Sequence, residues 1–522
     1  MMKKILLIIL AFGVSCSTSQ KAVSTNAVKS TAKVVDPVTY ATTITEEELK
    51  EHLYTYASDE FEGRETGQPG QKKAIEYLKK QYESLGIPSA QANGDYFQKV
   101  PLEIGKVPKG NVNINGTVFE LGEDLLTFTA ANNQSQEIIY LGYGIEEGEY
   151  SDYTGLDLTD KIVLLKYGEP VDANGVYTIS GTTEKSVWSN NSEAMGKKVS
   201  LAFEKGAIGA LFYDPVNFPR FKQFFDFNKK NDAGRMNLTA ETSENFIVLL
   251  NEKSAKALKS NIESDHKPVV MATDLKMQVE SVNEKVDSEN VVAIIKGSEK
   301  PDEYLVISSH LDHIGISADG QVNNGADDDG SGSVALLEIA EAFKKAADDG
   351  NGPKRSIVFL HVTGEEKGLL GSKYYTDYDP IFPLEQTVTN LNIDMIGRVD
   401  PKREGDNKNY VYLIGSDKLS TELHNLSEEI NTKYANIELD YKYNEENDPN
   451  RFYYRSDHYN FAKNNIPIIF YFNGTHDDYH QPSDTPDKIN YDLLENRTRL
   501  VFHTAWEVAN RANKVIVDKA SN

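Results

Sequence analysis

Residues 325–350 read GADDDGSGSVALLEIAEAFKKAADDG. Three aspartates, Asp327, Asp328 and Asp329, stand in a row between glycines. The run behind them has the apolar spacing of a helix, and YLVISSH (304–310) ahead of them reads as a buried strand. Adjacent carboxylates repel, so a folded chain keeps such a triplet only in water or around a cation. The segment therefore raises two questions at once, what sheet it belongs to and what the aspartates do.

Working outward, the alternation continues. NVVAIIKG precedes the strand at 304, and RSIVFLHVTG, TVTNLNIDMIG, NYVYLIGS and IPIIFYFNG follow it with helical stretches between. YDLLENRTRLVFHTAWEVANRAN closes with a long helix. Apolar strands alternating with helices predict an α/β fold, a mostly parallel central sheet with helices on both faces. Ligands of such sheets bind at the carboxyl ends of the strands. Upstream, KKAIEYLKKQYESLGI spaces Ile75, Leu78, Tyr82 and Leu85 as an amphipathic helix, with Gly86 as its C-cap. Between about 106 and 285 short β-like runs separated by Gly and Asn turns predict a separate β-rich unit, with one helix-like segment, KVSLAFEKGAIGALFYD.

The chain of 522 residues carries a net charge of −25, which argues against a nucleic-acid partner. Residues 1–16 read as an export signal: basic MMKK, then the ten apolar residues ILLIILAFGV, then Cys16, the only cysteine. That cysteine resembles a bacterial lipoprotein cleavage site, with Gly13 where an aliphatic residue is usual. The expectation is an exported, cell-envelope protein whose only membrane link is a lipid anchor at Cys16, or a secreted one if the signal is ordinary. Residues 17–45, rich in Ser, Thr, Ala and Lys, are expected to form a flexible tether.

The chemistry-bearing residues sit where apolar strands run out. ISSHLDHIG supplies His310 and Asp312, HVTGEEKG supplies Glu365 and Glu366, LNIDMIG supplies Asp394, and THDDYHQPSDTPDKI supplies His476 and His480. Each alone is a weak signal. The triple Asp serves equally as a solvated turn or helix cap, a role open to Ser331 as well, and its register does not fit an EF-hand loop. Asp394 is the sharpest, because a carboxylate inside an apolar strand needs a partner. A set drawn from these, two histidines and three carboxylates at strand ends, suits zinc with room for water.

In this order the motifs His310-x-Asp312, GADDDGSG, GEEKGLLGS, NIDMIG and DYHQPSDTPDKI resemble those of the co-catalytic di-zinc exopeptidases, metallopeptidase family 28. The resemblance spans about 46–105 and 286–515, and the middle segment, 106–285, looks like the protease-associated domain often inserted in that family. It implies two Zn2+ per chain bound by His310, Asp328, Glu366, Asp394 and His480, with Asp328 bridging. It implies Glu365 as general base and Asp312 behind His310. Asp327 and Asp329 then shape the turn. His313, His361, His458 and His476 match no ligand position and read as structural or rim residues, while Tyr453, Tyr454 and Arg455 are candidate substrate contacts and Asp457 has no assigned role. The implied activity is an aminopeptidase acting on peptides. The alternatives are a glutamate-type carboxypeptidase, drawing on Arg398, Arg451 or Arg455, a glutaminyl-cyclase-like acyltransferase and a non-catalytic envelope binding protein.

Overall fold

The structure, a computed structural model, describes residues 35–190, 193–239 and 245–519. The export signal, Cys16 and the tether as far as residue 34 lie outside the described residues. Among the described residues no helix is long and apolar enough to cross a membrane.

The strands of the central sheet are β1 (Phe97–Gly105), β2 (Arg235–Leu238), β3 (Glu284–Ile295), β4 (Lys300–His310), β5 (Arg355–Val362), β6 (Thr387–Ile393), β7 (Tyr410–Ile414), β8 (Glu438–Asp440) and β9 (Ile468–Phe472). In space they run β2-β1-β3-β5-β4-β6-β9-β7-β8. The four central strands β5, β4, β6 and β9 are parallel. β1, β2 and β3 on one side and β7 on the other pair antiparallel, so the sheet is mixed with a parallel centre. The central strands are buried at every position of β5, β6 and β9, the continuous apolar reading of a sheet covered on both faces.

One face carries α1 (Val38–Ala41), α2 (Glu46–Tyr56), α3 (Pro69–Leu85), α4 (Gly332–Asp348) and the closing helix Tyr491–Asn510. Gly86 ends α3 in the left-handed conformation (φ 68°), the C-cap its position predicts. On the opposite face, the helices Leu370–Asp377 and His458–Ala462 set Tyr375 and Phe461 against Val358 and Leu360. The folded part begins earlier than residue 46. Tyr40 in α1 is buried and stacked on Trp506, and Ala41 and Ile44 accept hydrogen bonds from Arg499 at 3.1 and 2.6 Å. The tether therefore does not extend to 45, because an apolar patch on the last helix is covered by residues 37–44.

Within 109–280 the short apolar runs build a second sheet of eight strands. Its two faces bury separate apolar clusters, one around Ile138, Leu164 and Val248, the other around Val163, Ala202 and Phe212. The helix-like segment at 198 divides into a helix, Ala194–Glu204, and a strand, Gly209–Tyr213. One strand from this stretch leaves it: β2 joins the edge of the central sheet, pairing with β1, and Leu238 packs against Leu370.

Candidate metal centre

The carboxyl ends of β4, β5, β6 and β9 point to one place, and the turn 325–331 rises into it at the start of α4. The three aspartates part company there. Asp327 Oδ1 accepts the Gly397 N–H (2.6 Å), tying the turn to the end of β6. Asp329 accepts the amides of Gly332 (2.9 Å), Met395 (3.1 Å) and His310 (3.2 Å), so it caps α4 and clamps two strand ends. Ser331 does not cap; its hydroxyl donates to Asp327 O (2.8 Å) and accepts the Ile396 N–H (3.0 Å). Of the three, Asp328 turns its carboxylate to His310 and His480.

Two clusters share it. His310 Nε2 stands 3.2 Å from Asp328 Oδ1 and 3.6 Å from Asp394 Oδ1. On the other side, His480 Nε2 lies 3.0 Å from Asp328 Oδ2 and 3.2 Å from Glu366 Oε2. His313 Nδ1 completes that group, 2.9 Å from Glu366 Oε1. Both groups have metal-ligand composition and spacing. Five of their atoms, His310 Nε2, His313 Nδ1, Asp328 Oδ2, Glu366 Oε1 and His480 Nε2, are buried without a hydrogen-bond partner. An unmet buried polar atom costs about 1–3 kcal/mol, so five converging on two points fit cations rather than a dry core. Imidazole and carboxylate donors of this kind suit zinc.

The supports of these side chains are specific. The His310 Nδ1–H donates to the backbone carbonyl of Asp312 (3.0 Å), which fixes the tautomer and leaves Nε2 as a lone pair. The Asp312 carboxylate does a different job from the one expected behind His310. It accepts the Glu365 N–H (3.1 Å) and the Thr66 hydroxyl (2.7 Å) and holds the Glu365 loop. Arg64, fully buried, donates to Leu311 O (3.2 Å), Asn324 O (2.7 Å) and Gly325 O (2.9 Å), stapling the end of β4 to the aspartate turn. Four non-glycine residues around the centre hold left-handed backbones, Arg64 (φ 48°), Leu369 (61°), Met395 (62°) and His480 (57°). Such strain persists where the surroundings impose it, and it gathers at functional sites.

Burial raises the Glu365 carboxyl well above the usual range, reinforced by Glu366, Asp394 and Asp457. Burial would also raise Asp328, but His313, His310 and His480 hold it well below. Asp457, buried and bonded by the Ser372 hydroxyl, is pushed up to about 7 by burial. Glu365, Asp394 and Met395 open onto a cavity walled by Phe452, Phe470 and Phe472, with Tyr479 and Arg455 at its rim. Tyr479 stacks on His480 (3.9 Å between centroids). A larger cavity of about 680 Å³ lies beyond the segment 452–454 and takes in Tyr453, Tyr454 and Arg451, so of the expected substrate contacts only Arg455 lines the metal centre.

Of the remaining histidines, His361 is structural, bonded to Tyr82 (2.8 Å) and Ser309 (3.2 Å), and His458 stacks on Phe470. His476 is buried, 3.2 Å from Asp327 Oδ2, behind the centre. His313 is the residue that sequence reasoning missed: it sits in the irregular segment after β4, where spacing does not indicate direction. Arg64 and Thr66, on a turn before α3, carried no sequence signal.

Residues 290–505 match Peptidase family M28. Among curated proteins, the chain is similar to Aminopeptidase NAALADL1 of Mus musculus, 33% identical over 250 residues (44% of this chain, 31% of that protein). It is also similar to Probable glutamate carboxypeptidase LAMP1 of Arabidopsis thaliana, 33% identical over 106 residues (20% of this chain, 14% of that protein). A solved aminopeptidase from Aneurinibacillus sp. strain AM-1 aligns over 93% of this chain and 98% of its own, at 20% identity and a TM-score of 0.46. The chain spans about a third or less of the length of the first curated relatives that it matches.

Proposed function

We propose that the protein is a two-zinc aminopeptidase that releases N-terminal residues from peptides. The observation that carries this reading is Asp328, one oxygen in each of two clusters of buried, unpartnered donors. One zinc would be held by His310, Asp328 and Asp394, the other by Asp328, Glu366 and His480. When bound, the ions supply Lewis acidity toward the scissile carbonyl and the attacking water. The protein's own groups do the rest. Glu365, which lines the cavity and is placed by Asp312, takes the water's proton and delivers it to the leaving amine. Tyr479, whose phenol burial keeps protonated, lines the same cavity and would donate to the developing oxyanion. The three phenylalanines accept an apolar side chain. Similarity to a protein named an aminopeptidase supports a substrate end that is an ammonium.

Arg455 supports a second reading, a carboxypeptidase. It lines the cavity and has no carboxylate partner among the described residues, whereas Arg398 is already paired with Asp478 (2.9 Å). A peptide with distinguishable ends separates the two. Mass spectrometry after incubation with the zinc-loaded protein is expected to show stepwise loss from a free N-terminus and none from an acetylated one. Loss from the C-terminus would establish the second reading, and an intact peptide would contradict both. The export pattern of residues 1–16 supports a further proposal, a lipid anchor at Cys16. Fatty-acid labelling lost in Cys16→Ser tests it, and labelling that is absent from the unmodified protein refutes it.

A further inference from the structure

His313 has no place in the five-residue ligand set, yet its surroundings are not those of a core histidine. It is fully buried, and neither ring nitrogen has a hydrogen-bond partner. His361, equally buried on the neighbouring strand, has both nitrogens engaged. A neutral imidazole packed in a dry core without partners leaves a donor and an acceptor unmet, an arrangement proteins avoid.

The ring is aimed with care. The His313 N–H donates to Arg64 O (3.3 Å), and the residue bridges to Glu65, so its backbone is fixed. Gly325 packs against the ring so closely that a Cβ there would lie 2.6 Å from it. This places Nδ1 2.9 Å from Glu366 Oε1 and 3.7 Å from Asp328 Oδ2. The same two carboxylates lie 3.0 and 3.2 Å from His480 Nε2. A tetrahedral zinc with nitrogen and oxygen arms of about 2.0–2.2 Å separates its ligands by about 3.3–3.6 Å. The four distances straddle that edge. Around Asp394, by contrast, only His310 and Asp328 join the group among the described residues.

We propose that His313 is a fourth protein ligand at the Glu366–His480 position, which makes the two metal positions unequal. That position is closed by four side chains, two of them imidazoles. The His310–Asp394 position keeps three protein donors and open coordination toward Glu365 and the cavity. Closed four-ligand zinc sites are structural in character and open three-ligand sites catalytic. The first ion therefore holds the centre together and the second exchanges. This inference rests on the two-ion reading given above.

Loss of affinity alone would not identify a ligand, because residues behind ligands also cost about 10–100-fold in metal affinity. The discriminating experiment is zinc X-ray absorption on the full chain loaded with one equivalent and then with two, for the unmodified protein and His313→Ala. The expected result at one equivalent is two imidazoles per zinc, falling to one in the variant. A chelator competition is expected to show the first ion held at least tenfold more tightly than the second, and that difference lost in the variant. One imidazole in the unmodified protein at one equivalent, or an unchanged count in His313→Ala, overturns the proposal. If the variant fails to melt cooperatively, the count in the unmodified protein decides. A chain that binds no zinc, or only one, refutes the two-ion reading itself, a separate failure.

Discussion

Asp312 and Glu365 are joined through the backbone: the Glu365 N–H donates to Asp312 Oδ1 over 3.1 Å, while Asp312 Oδ2 takes the Thr66 hydroxyl at 2.7 Å. Asp312 is fully buried, and burial raises its carboxyl. The two donors are what hold it in place beside the Glu365 loop. Glu365, the proposed base, is thus positioned from β4, the strand that carries His310, and from the turn before α3.

Glu365→Gln keeps the shape and removes the proton acceptor. Peptidase activity is expected to fall by about 10²–10⁴-fold with zinc content unchanged. Parallel rate and metal assays check this, and a variant that loses its zinc would make Glu365 a ligand instead.

Asp312→Ala frees the Glu365 loop. We expect kcat to drop by about 10²-fold with KM little changed, since misplacing a catalytic group by about 1 Å costs that much. Thr66→Val should reproduce the direction more weakly. Steady-state kinetics separate this from a binding role, which would raise KM.

Arg64→Met strips donors from the carbonyls of Leu311, Asn324 and Gly325. Leaving buried carbonyls unmet costs about 1–3 kcal/mol each. Thermal melts are expected to show a fall of several degrees together with weaker zinc retention, because the same guanidinium fixes the aspartate turn. An unchanged melting temperature would show that water replaces it.

Glu338 on α4 is 1% exposed and faces His52 at 3.5 Å. Burial, with Glu48 and Glu341, pushes its carboxyl up to about 9 from an ordinary 4.5. The folded state thus holds a proton that the unfolded chain releases, so this contribution to stability is complete below about pH 4.5 and drains away as pH rises toward 9. One unit of pKa is worth about 1.4 kcal/mol, so Glu338→Gln should gain about 4 kcal/mol on the unmodified protein between pH 5 and pH 8. Denaturant melts at the two pH values test it, and a pH-independent difference would contradict it.

The central sheet was legible because its strands are apolar on both faces and separated by helical spacing, and His310, Glu366 and Asp394 stand at or just past the ends of such strands. Asp328 could be told from Asp327 and Asp329 only through the family resemblance, since three adjacent carboxylates look alike until the turn sends them in different directions. His313 and Arg64 were illegible because irregular backbone, with φ of 48° at Arg64, carries no periodicity. Residues 37–44 read as tether because the cover they give Trp506 depends on a helix that lies over 450 residues away in the chain. The departure of β2 from the inserted sheet is likewise a long-range pairing, Leu238 opposite Leu102, that no local pattern announces.

The most direct test of the account is zinc per chain, measured by plasma mass spectrometry on dialysed protein and on Asp328→Asn. Because one carboxylate serves both clusters, two zinc ions are predicted for the unmodified chain and fewer than one for the variant. No zinc in the unmodified chain, or two retained after the substitution, would contradict a centre built around Asp328.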